Sequence, residues 1–171
     1  RNVFRIPDYM QMMVERGWLG QKTGQGFYKK IKGEGGKSEI QSLNLNTLEY
    51  QAKQKANFDT LGKTKSIDDL KERIKVLFNG TDKAGEFYRR SFIGLFQYVS
   101  NRIPEITDDL YKIDDAVKAG FGWELGPFET WDAIGLKKSM GNMKAAGYKP
   151  AVWVAEMLED GNGSFYIVED G

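Results

Sequence analysis

The sequence predicts a mainly α-helical bundle with a small β-hairpin near the N-terminus. Three observations support this prediction. Apolar residues recur at helical spacing over most of the second half of the chain. Glycine or proline stands at the predicted ends of most helical segments. The main region of β-type pattern lies between residues 26 and 50.

The first 50 residues predict one helix and the hairpin. Pro7–Arg16 has the pattern of a helix, because proline suits a first helical turn and Gly17 can end it. Gly26–Ile31 and Glu39–Tyr50 are the predicted strands, joined by a turn at 32–37.

The polar stretch that follows predicts a linker, so the chain divides into three parts: 1–50, 51–65 and 66–171. Ser66 is the predicted N-cap of the next helix, with Asp68 and Asp69 in its first turn and Asn79-Gly80 at its end.

The remaining helices are predicted from their end signals. Thr81 or Asp82 caps a long helix, and Pro104 kinks or restarts it. Later helices run from that proline to about Ala119, from Pro127 to about Ile134, from Leu136 to Ala146 and from Pro150 to Asp160, and a short strand is predicted at Phe165–Val168.

The composition fits a globular chain and excludes several classes of site. The 171 residues are 40% hydrophobic and contain neither His nor Cys. The usual general base, a thiol nucleophile and the usual zinc ligands are therefore missing, and we expect no metal site. A net charge of +1 argues against nucleic acid or an anionic membrane as a partner. The sequence shows no signal peptide and no apolar run that could span a bilayer, which predicts a cytoplasmic chain.

The two ends of the chain resemble each other. Near the start, Pro7 precedes a helix that ends in Met-Val-Glu-Arg-Gly, and Phe27-Tyr28 follow a glycine-rich turn. Near the end, Pro150 precedes a helix that ends in Met-Leu-Glu-Asp-Gly, and Phe165-Tyr166 follow a similar turn. We favour duplication of one supersecondary unit, with chance as the alternative because glycine after a helix is common.

Five acidic residues cluster around one predicted helix and are candidates for acid–base chemistry or metal binding. Carboxylates near helix starts are more often caps or solvated side chains, which is the interpretation we favour. The cluster consists of Glu105, Asp108, Asp109, Asp114 and Asp115.

The segment 120–132 is the most distinctive part of the sequence. It combines three glycines and a proline with four large aromatic residues. Such density predicts a rigid, packed corner, which could equally line a pocket or form a subunit interface. Its motif residues are Trp123, Gly126, Pro127, Phe128 and Trp131.

Two motifs resemble the C-terminal helical repeats of the 3-hydroxyacyl-CoA dehydrogenase family. One runs from Ile103-Pro104 to Gly126-Pro127-Phe128-Glu129 and Asp132. The other is the stretch 17–28, with Gly24, Gly26, Phe27 and Tyr28 at its end. Together they cover most of the chain, and their arrangement is most similar to the middle part of a bacterial 3-hydroxyacyl-CoA dehydrogenase/enoyl-CoA hydratase fusion. The resemblance assigns 1–50 to the tail of a first helical repeat plus the hairpin, and 66–171 to a second repeat.

The resemblance implies a parent protein that oxidises 3-hydroxyacyl-CoA with NAD in β-oxidation. Its catalytic His–Glu pair would lie in an upstream Rossmann domain, with a crotonase-like domain downstream and acyl-CoA as substrate. An assisting Asn would also lie before Arg1, and Asn101 is not given that role because it stands in the second repeat. We therefore expect no catalytic, cofactor-binding or metal-binding residue in this chain, which starts at Arg1 rather than Met and is expected to be an internal piece.

The implied role is scaffolding: packing against other domains, contact with a subunit, and part of the wall of the acyl-CoA cleft. A homodimer is left open. Trp123, Phe128 and Trp131 are the expected packing residues, and Gly126→Val is expected to destabilise the fold by more than about 1 kcal/mol if Gly126 needs backbone freedom. The alternative is a stand-alone helical protein-interaction module without catalysis, whose docking surface is the aromatic corner.

Overall fold

The computed structural model describes residues 5–167 and confirms the mainly α-helical class with a small β element near the N-terminus. The chain forms two compact units, Arg1–Ala56 and Asn57–Gly171. In the described residues, the first unit contains α1 (Asp8–Glu15), β1 (Tyr28–Lys32), β2 (Ser38–Leu43) and β3 (Tyr50–Ala52). The second contains α2 (Asp59–Thr64), α3 (Leu70–Asn79), α4 (Lys83–Ser100), α5 (Leu110–Phe121), α6 (Pro127–Ile134), α7 (Leu136–Ala145) and α8 (Val152–Glu159).

Helix α1 begins and ends as its sequence predicts. Pro7 precedes it in an extended conformation. Gly17 follows it with a φ of 70°, a conformation that glycine adopts without steric penalty. The N–H groups of Gly17 and Trp18 donate to the carbonyls of Val14 and Met13, which is the hydrogen-bond pattern of a Schellman motif.

The β element is a three-stranded antiparallel sheet in the order β1-β2-β3, so the predicted single strand Glu39–Tyr50 is wrong. Asn44 breaks that run. Its side-chain oxygen accepts hydrogen bonds from the backbone N–H groups of Asn46 (3.0 Å) and Thr47 (3.3 Å). This local turn competes with strand hydrogen bonds, and the chain therefore reverses before Tyr50.

The first unit has a small apolar core. Met13 from α1 packs with Leu43 and Leu48, and partly buried Trp18 and Tyr50 flank them. The indole of Trp18 and the ring of Tyr50 lie 5.4 Å apart. The core thus joins the helix to one end of the sheet.

The predicted linker at 51–65 contains ordered elements at both ends. Strand β3 includes residues 51 and 52, and helix α2 occupies Asp59–Thr64. The division between the two units falls between them, after Ala56. This polar stretch therefore contains secondary structure at both ends, and only its middle part has none.

Two aspartates, rather than Ser66 or Thr81, cap the first long helices of the second unit. Asp69 caps α3 by accepting from the N–H of Glu72 (2.7 Å). Asp82 caps α4 by accepting from the N–H of Gly85 (2.9 Å). Helix α3 begins after Ser66 because the guanidinium of Arg73 donates to the carbonyl of Ile67 (2.7 and 3.0 Å), which holds that residue outside the helix.

The later helices keep their predicted order with some shifted ends. Helix α4 ends at Ser100, and Pro104 lies in the turn before α5, which begins at Leu110 rather than near the proline. The predicted ends of α6 and α7 are confirmed, since Gly135 and Gly147 both have positive φ angles.

The predicted strand Phe165–Val168 is wrong where the structure describes it, since 165–167 are not in a strand, and Val168 lies outside the described residues. The backbone N–H groups of Phe165 and Tyr166 donate to the Asp132 carboxylate instead of to a neighbouring strand. A side chain thus takes the place of a sheet partner.

The core of the second unit is aromatic. Phe96 and Trp131 are fully buried and stack with ring centroids 4.7 Å apart. Phe128 lies beside them and contacts Phe165 edge to face at 5.0 Å. Since α4 supplies Phe96 and α6 supplies Phe128 and Trp131, α6 is the central element of this unit. No helix in residues 5–167 is long and apolar enough to cross a membrane.

Candidate functional site

The distinctive segment 120–132 forms a corner between α5 and α6, built around the carboxylate of Asp114. Asp114 lies in the middle of α5 and is 1% exposed. Its two oxygens accept from the N–H groups of Phe128 and Glu129, each at 2.9 Å, and from the hydroxyl of Tyr166 at 2.9 Å. Asp114 therefore supplies the N-terminal cap of α6 from another helix.

Gly126 and Pro127 allow this close approach. A Cβ atom at Gly126 would overlap both the backbone and the side chain of Asp114. The backbone at Gly126 is extended, with a φ of −75°, so the expected need for backbone freedom is wrong. Glycine is required here because there is no room for a side chain. Pro127 occupies the first helical position, where a missing N–H leaves no unpaired donor.

Glu129 and Lys118 complete the polar side of the corner. Glu129 accepts from the N–H of Gly126 at 2.6 Å. Lys118 from α5 bridges Glu129 (2.9 Å) and Asp115 (3.2 Å). The ion pair of Lys118 and Glu129 links α5 to the start of α6, and the pKa of Lys118 is raised mainly by its hydrogen bond to Glu129.

A second carboxylate attaches the C-terminal segment. Asp132 on α6 accepts from the N–H of Phe165 (2.8 and 3.0 Å) and of Tyr166 (3.0 Å). The side chain of Tyr166 then reaches Asp114. Two carboxylates on adjacent helices thus hold one dipeptide.

Burial shapes the protonation of this cluster. Loss of hydration raises the pKa of both Asp114 and Asp132, although the N–H donors on each carboxylate oppose the rise. Burial and the hydrogen bond to Asp114 raise the pKa of Tyr166 far above its ordinary value. In the described residues, the side chains of the corner have hydrogen-bond or ion-pair partners within the protein, which is the arrangement of a structural joint.

An open groove of about 820 Å³ lies beside the corner, between α4 and α5. Its walls are mainly apolar, and Arg102 and Lys112 are the cations that line it. Both are paired with carboxylates, Arg102 with Glu105 and Lys112 with Asp109. Its volume is in the range of small-ligand pockets.

The predicted motif aromatics divide between this groove and the core. Phe128 and Trp131 are fully buried, as expected of packing residues. Trp123 is 46% exposed and Phe121 is 77% exposed, and both line the groove. Trp123 is therefore not a core residue; it follows Gly122, whose φ of 68° ends α5.

The residues of the acidic cluster are distributed over separate local contacts. Glu105, Asp109 and Asp115 make ion pairs with lysine or arginine three residues away, and Asp108 is exposed. Within residues 5–167, no group of carboxylates could hold a metal ion. The exception is Asp114, whose buried role the sequence reasoning missed. Its spacing gave a signal, since Asp114 lies on the inward seam of α5 between Leu110 and Val117.

The first motif also forms a tight structural loop. The hydroxyl of Thr23 donates within the loop and accepts from the N–H of Leu19 (3.0 Å). The hydroxyl of Tyr50 donates to the carbonyl of Gly26 (2.7 Å). A Cβ at Gly26 would lie 2.8 Å from the Cα of Gly20, and Gly24 has a φ of 78°. Gly24 and Gly26 are therefore required by the geometry of the turn.

Asn101 lies at the end of α4 and makes hydrogen bonds to the backbone of its own unit. It is exposed at the end of α4, and its amide donates to the carbonyls of Gln97 (2.8 Å) and Lys149 (3.3 Å). Both partners are backbone atoms of the same unit, so Asn101 links the end of α4 to the segment before α8.

Comparisons with known proteins confirm the resemblance expected from the two motifs. The chain is 43% identical over all 171 residues to the "Probable 3-hydroxyacyl-CoA dehydrogenase" of Bacillus subtilis, and it spans 21% of that protein's length. It is 29% identical over 120 residues to the "Putative fatty acid oxidation complex trifunctional enzyme" of Rickettsia felis, spanning 15% of it. The Rickettsia prowazekii protein of the same name is 28% identical over 117 residues. No family model and no solved structure matches the chain.

Proposed function

We propose that this chain is the helical scaffold of an NAD-dependent 3-hydroxyacyl-CoA dehydrogenase of fatty-acid β-oxidation, acting in the cytoplasm. The observation that carries the proposal is the 43% identity over the full 171 residues to the "Probable 3-hydroxyacyl-CoA dehydrogenase" of Bacillus subtilis. Residues 1–50 are then the tail of a first helical repeat, and 66–171 are a second repeat. An upstream Rossmann domain and a downstream crotonase-like domain complete the protein.

The described residues do not fit NAD. Dinucleotide sites form at the carboxyl ends of parallel strands, followed by a helix whose N-terminus faces the pyrophosphate. The sheet in residues 5–167 is antiparallel. The glycine-rich loop at 20–26, which precedes β1, is closed by hydrogen bonds from the hydroxyl groups of Thr23 and Tyr50 to backbone carbonyls of the loop. The cofactor and the catalytic groups are therefore assigned to the rest of the polypeptide.

The groove between α4 and α5 is the surface through which the scaffold acts. It is mainly apolar and exposes Phe121 and Trp123. In the proposed enzyme this groove forms part of the acyl-CoA cleft wall or of a subunit contact, whereas the Asp114 corner keeps α5 and α6 at a fixed angle behind it.

Enzyme assays on the polypeptide expressed from its complete coding sequence test the proposal. With a 3-hydroxyacyl-CoA and NAD, it should form NADH, and the isolated 171-residue chain should form none. Failure of the complete polypeptide to reduce NAD with substrates of several acyl lengths would overturn the proposal. It would leave the stand-alone interaction module, for which the exposed aromatic groove is the candidate docking surface.

A substitution in the groove separates its two proposed roles. If the groove is a cleft wall, Trp123→Ala in the complete polypeptide should raise KM for the acyl-CoA and leave kcat unchanged. The indole would contact the bound acyl-CoA equally in the ground state and in the transition state, so its removal weakens binding without changing the barrier from one to the other. The matched control is Tyr111→Ala, an exposed aromatic residue of α5 that does not line the groove. An unchanged KM would exclude the cleft-wall role.

A further inference from the structure

A second groove, of about 530 Å³, lies between α7 and α8. Met140 and Gly141 of α7 line one side, and Val152 and Ala155 of α8 line the other. The connection between the two helices completes the lining, with Tyr148 as its aromatic residue. The volume is in the range of small-ligand pockets, and no residue of this groove lines the groove between α4 and α5.

Small and exposed apolar residues keep this groove open. A Cβ atom added at Gly141 or Gly147 would have no atom within 4 Å. Val152, at the first position of α8, is 72% exposed. Because exposed apolar surface is favourably covered by another apolar surface, the groove suits a ligand with an apolar or aromatic body.

The ring of Tyr148 is held in place beside this groove. It packs against the aromatic core of the second unit, and a Cβ atom added at Gly94 of α4 would lie 3.7 Å from its Cε1 atom. The backbone N–H of Tyr148 donates to the carbonyl of Met143 at 2.9 Å. A ring fixed in this way is a preformed stacking surface for a planar group, because it loses little freedom when a ligand binds.

The charge around the groove is positive. Residues 133–155 contain four lysines and neither Asp nor Glu, although the whole chain has 24 acidic and 25 basic residues. Lys144 and Lys149 line the groove. Lys137 lies two turns before Lys144 on the same face of α7. The groove is thus in the part of the second unit where positive charge is not balanced by nearby sequence.

The cations of the two grooves differ in their partners. Arg102 and Lys112, which line the groove between α4 and α5, are both paired with carboxylates. No ion pair among residues 5–167 includes Lys144 or Lys149. The first carboxylate of α8, that of Glu156, does not line the groove. Unpaired ammonium groups beside an apolar wall complement a ligand that carries phosphate groups on an aromatic body.

We propose that the groove between α7 and α8 binds an adenine nucleotide with more than one phosphate group, which in the proposed enzyme is the 3′-phosphoadenosine diphosphate end of CoA. The adenine ring stacks on Tyr148 and contacts Val152, and the phosphates accept hydrogen bonds from Lys144 and Lys149. Only the identification of this nucleotide as part of CoA rests on the proposed function. The binding of a phosphorylated adenine nucleotide rests on the groove and its charge.

Titration of the 171-residue chain with adenosine 3′,5′-bisphosphate, followed by methyl NMR, tests the binding. The methyl resonances of Met140 and Val152 should shift and saturate as the nucleotide is added. Those of Met12 and Val14, which are exposed in the first unit, should not move. Absence of a shift at Met140 and Val152 at millimolar nucleotide would overturn the proposal.

A double variant tests the two lysines. Lys144→Gln with Lys149→Gln should raise the Kd of the nucleotide by at least about tenfold, because hydrogen bonds from a cation to phosphate are stronger than neutral ones. The matched control is Lys63→Gln with Lys83→Gln, which changes the net charge equally at two exposed lysines outside the groove. An equal rise in Kd in both double variants would overturn the proposal, since it would show that net charge alone attracts the nucleotide.

A substitution at Val152 tests the location without removing a lysine. Val152→Glu places a carboxylate in the groove at an exposed helix start, where a negative charge is compatible with the helix dipole. It should weaken nucleotide binding more than Val152→Gln does, because only the former repels phosphate. Equal affinities of these two variants would overturn the location of the phosphates.

Two other probes test the identity of the ligand. CoA itself should shift the same Met140 and Val152 resonances as adenosine 3′,5′-bisphosphate, and CoA that leaves them unchanged would overturn its assignment to this groove. Inorganic phosphate should bind more weakly than the nucleotide. Equal affinity for inorganic phosphate would overturn the contribution of the adenine ring.

NADH formation by the complete polypeptide separates the failure of this inference from that of the proposed function. NADH formation together with no nucleotide binding at Met140 and Val152 overturns the groove assignment alone. Nucleotide binding at the groove together with no NADH formation overturns the proposed function and supports the groove as a nucleotide site.

Discussion

At the scale of single residues, Gly126 shows why a motif glycine can be essential without an unusual backbone. Its φ of −75° is available to every residue. The constraint comes from Asp114, whose backbone and side chain fill the space where a Cβ would lie. That approach brings the carboxylate to the first N–H groups of α6.

Gly126→Ala is therefore expected to destabilise the second unit. Inserting a methyl group against packed backbone should lower the free energy of unfolding by about 1–3 kcal/mol, measured by urea denaturation. Gly120→Ala is the control, because a Cβ there has no atom within 4 Å and the residue lies in α5. The control should be neutral or stabilising. Equal stability of Gly126→Ala and the wild type would contradict the steric argument.

Asp82 is a residue whose charge state matters for stability. Hydrogen bonds from the N–H groups of Gly85 and Thr60 lower the pKa of Asp82 from 3.8 to about 2. The folded state therefore holds the ionised form more strongly than the unfolded state does. The ionised carboxylate of Asp82 contributes its full stabilisation at pH values above its ordinary pKa of 3.8, and this stabilisation is lost as the pH falls through about 2.

A pH series on Asp82 variants measures this linkage. The difference in unfolding free energy between wild type and Asp82→Ala should be constant near neutral pH and should shrink as the pH falls from 3.8 to about 2. Asp82→Asn keeps a capping oxygen but cannot ionise, so it should retain part of the stability without this acid-range change. A difference that does not depend on pH would contradict the assigned cause.

At the scale of elements, the segment after α8 is held by side chains instead of by a sheet. Its two backbone N–H groups at Phe165 and Tyr166 both donate to Asp132, and the Phe165 ring enters the aromatic core. Alternating apolar residues can suggest a strand, but a strand needs a neighbour with free backbone groups. Here a carboxylate on α6 provides the acceptors.

Asp132→Ala should release this segment. Two partly buried N–H groups would lose their acceptor, which should lower stability by about 1–3 kcal/mol. Amide hydrogen exchange at 165 and 166 should become faster than in the wild type. Asp160→Ala, a change at an exposed residue after α8, serves as the control. Unchanged exchange at both positions would show that the aromatic contacts alone hold the segment.

At the scale of the whole molecule, the chain consists of two units with separate cores. The aromatic core of the second unit is drawn from α3 to α8, and the small core of the first joins α1 to the sheet. The division lies at Ala56 and Asn57. Since each core is complete within its own unit, the second unit is expected to fold without the first.

Residues 57–171 expressed alone should therefore be helical and unfold cooperatively. Their thermal midpoint should lie within about 4 °C of that of the second unit in the whole chain. Such a shift corresponds to a change of less than about 1 kcal/mol in the free energy of unfolding. Circular dichroism and calorimetry measure both quantities. A fragment that lacks a cooperative transition would show that the first 56 residues complete its core.

The sequence alone determined the helical class and, for every helix except α2, the order and most of the ends, because apolar periodicity, glycine and proline act locally. Helix α2 lies in the stretch that was predicted to be a linker. Only the tertiary structure decided the role of Asp114, the exposure of Trp123 and the steric need for Gly126. Each of these depends on residues brought together from different helices. The free energy of a buried carboxylate depends on which N–H groups surround it, and that arrangement is fixed only when α5, α6 and the C-terminal segment pack together.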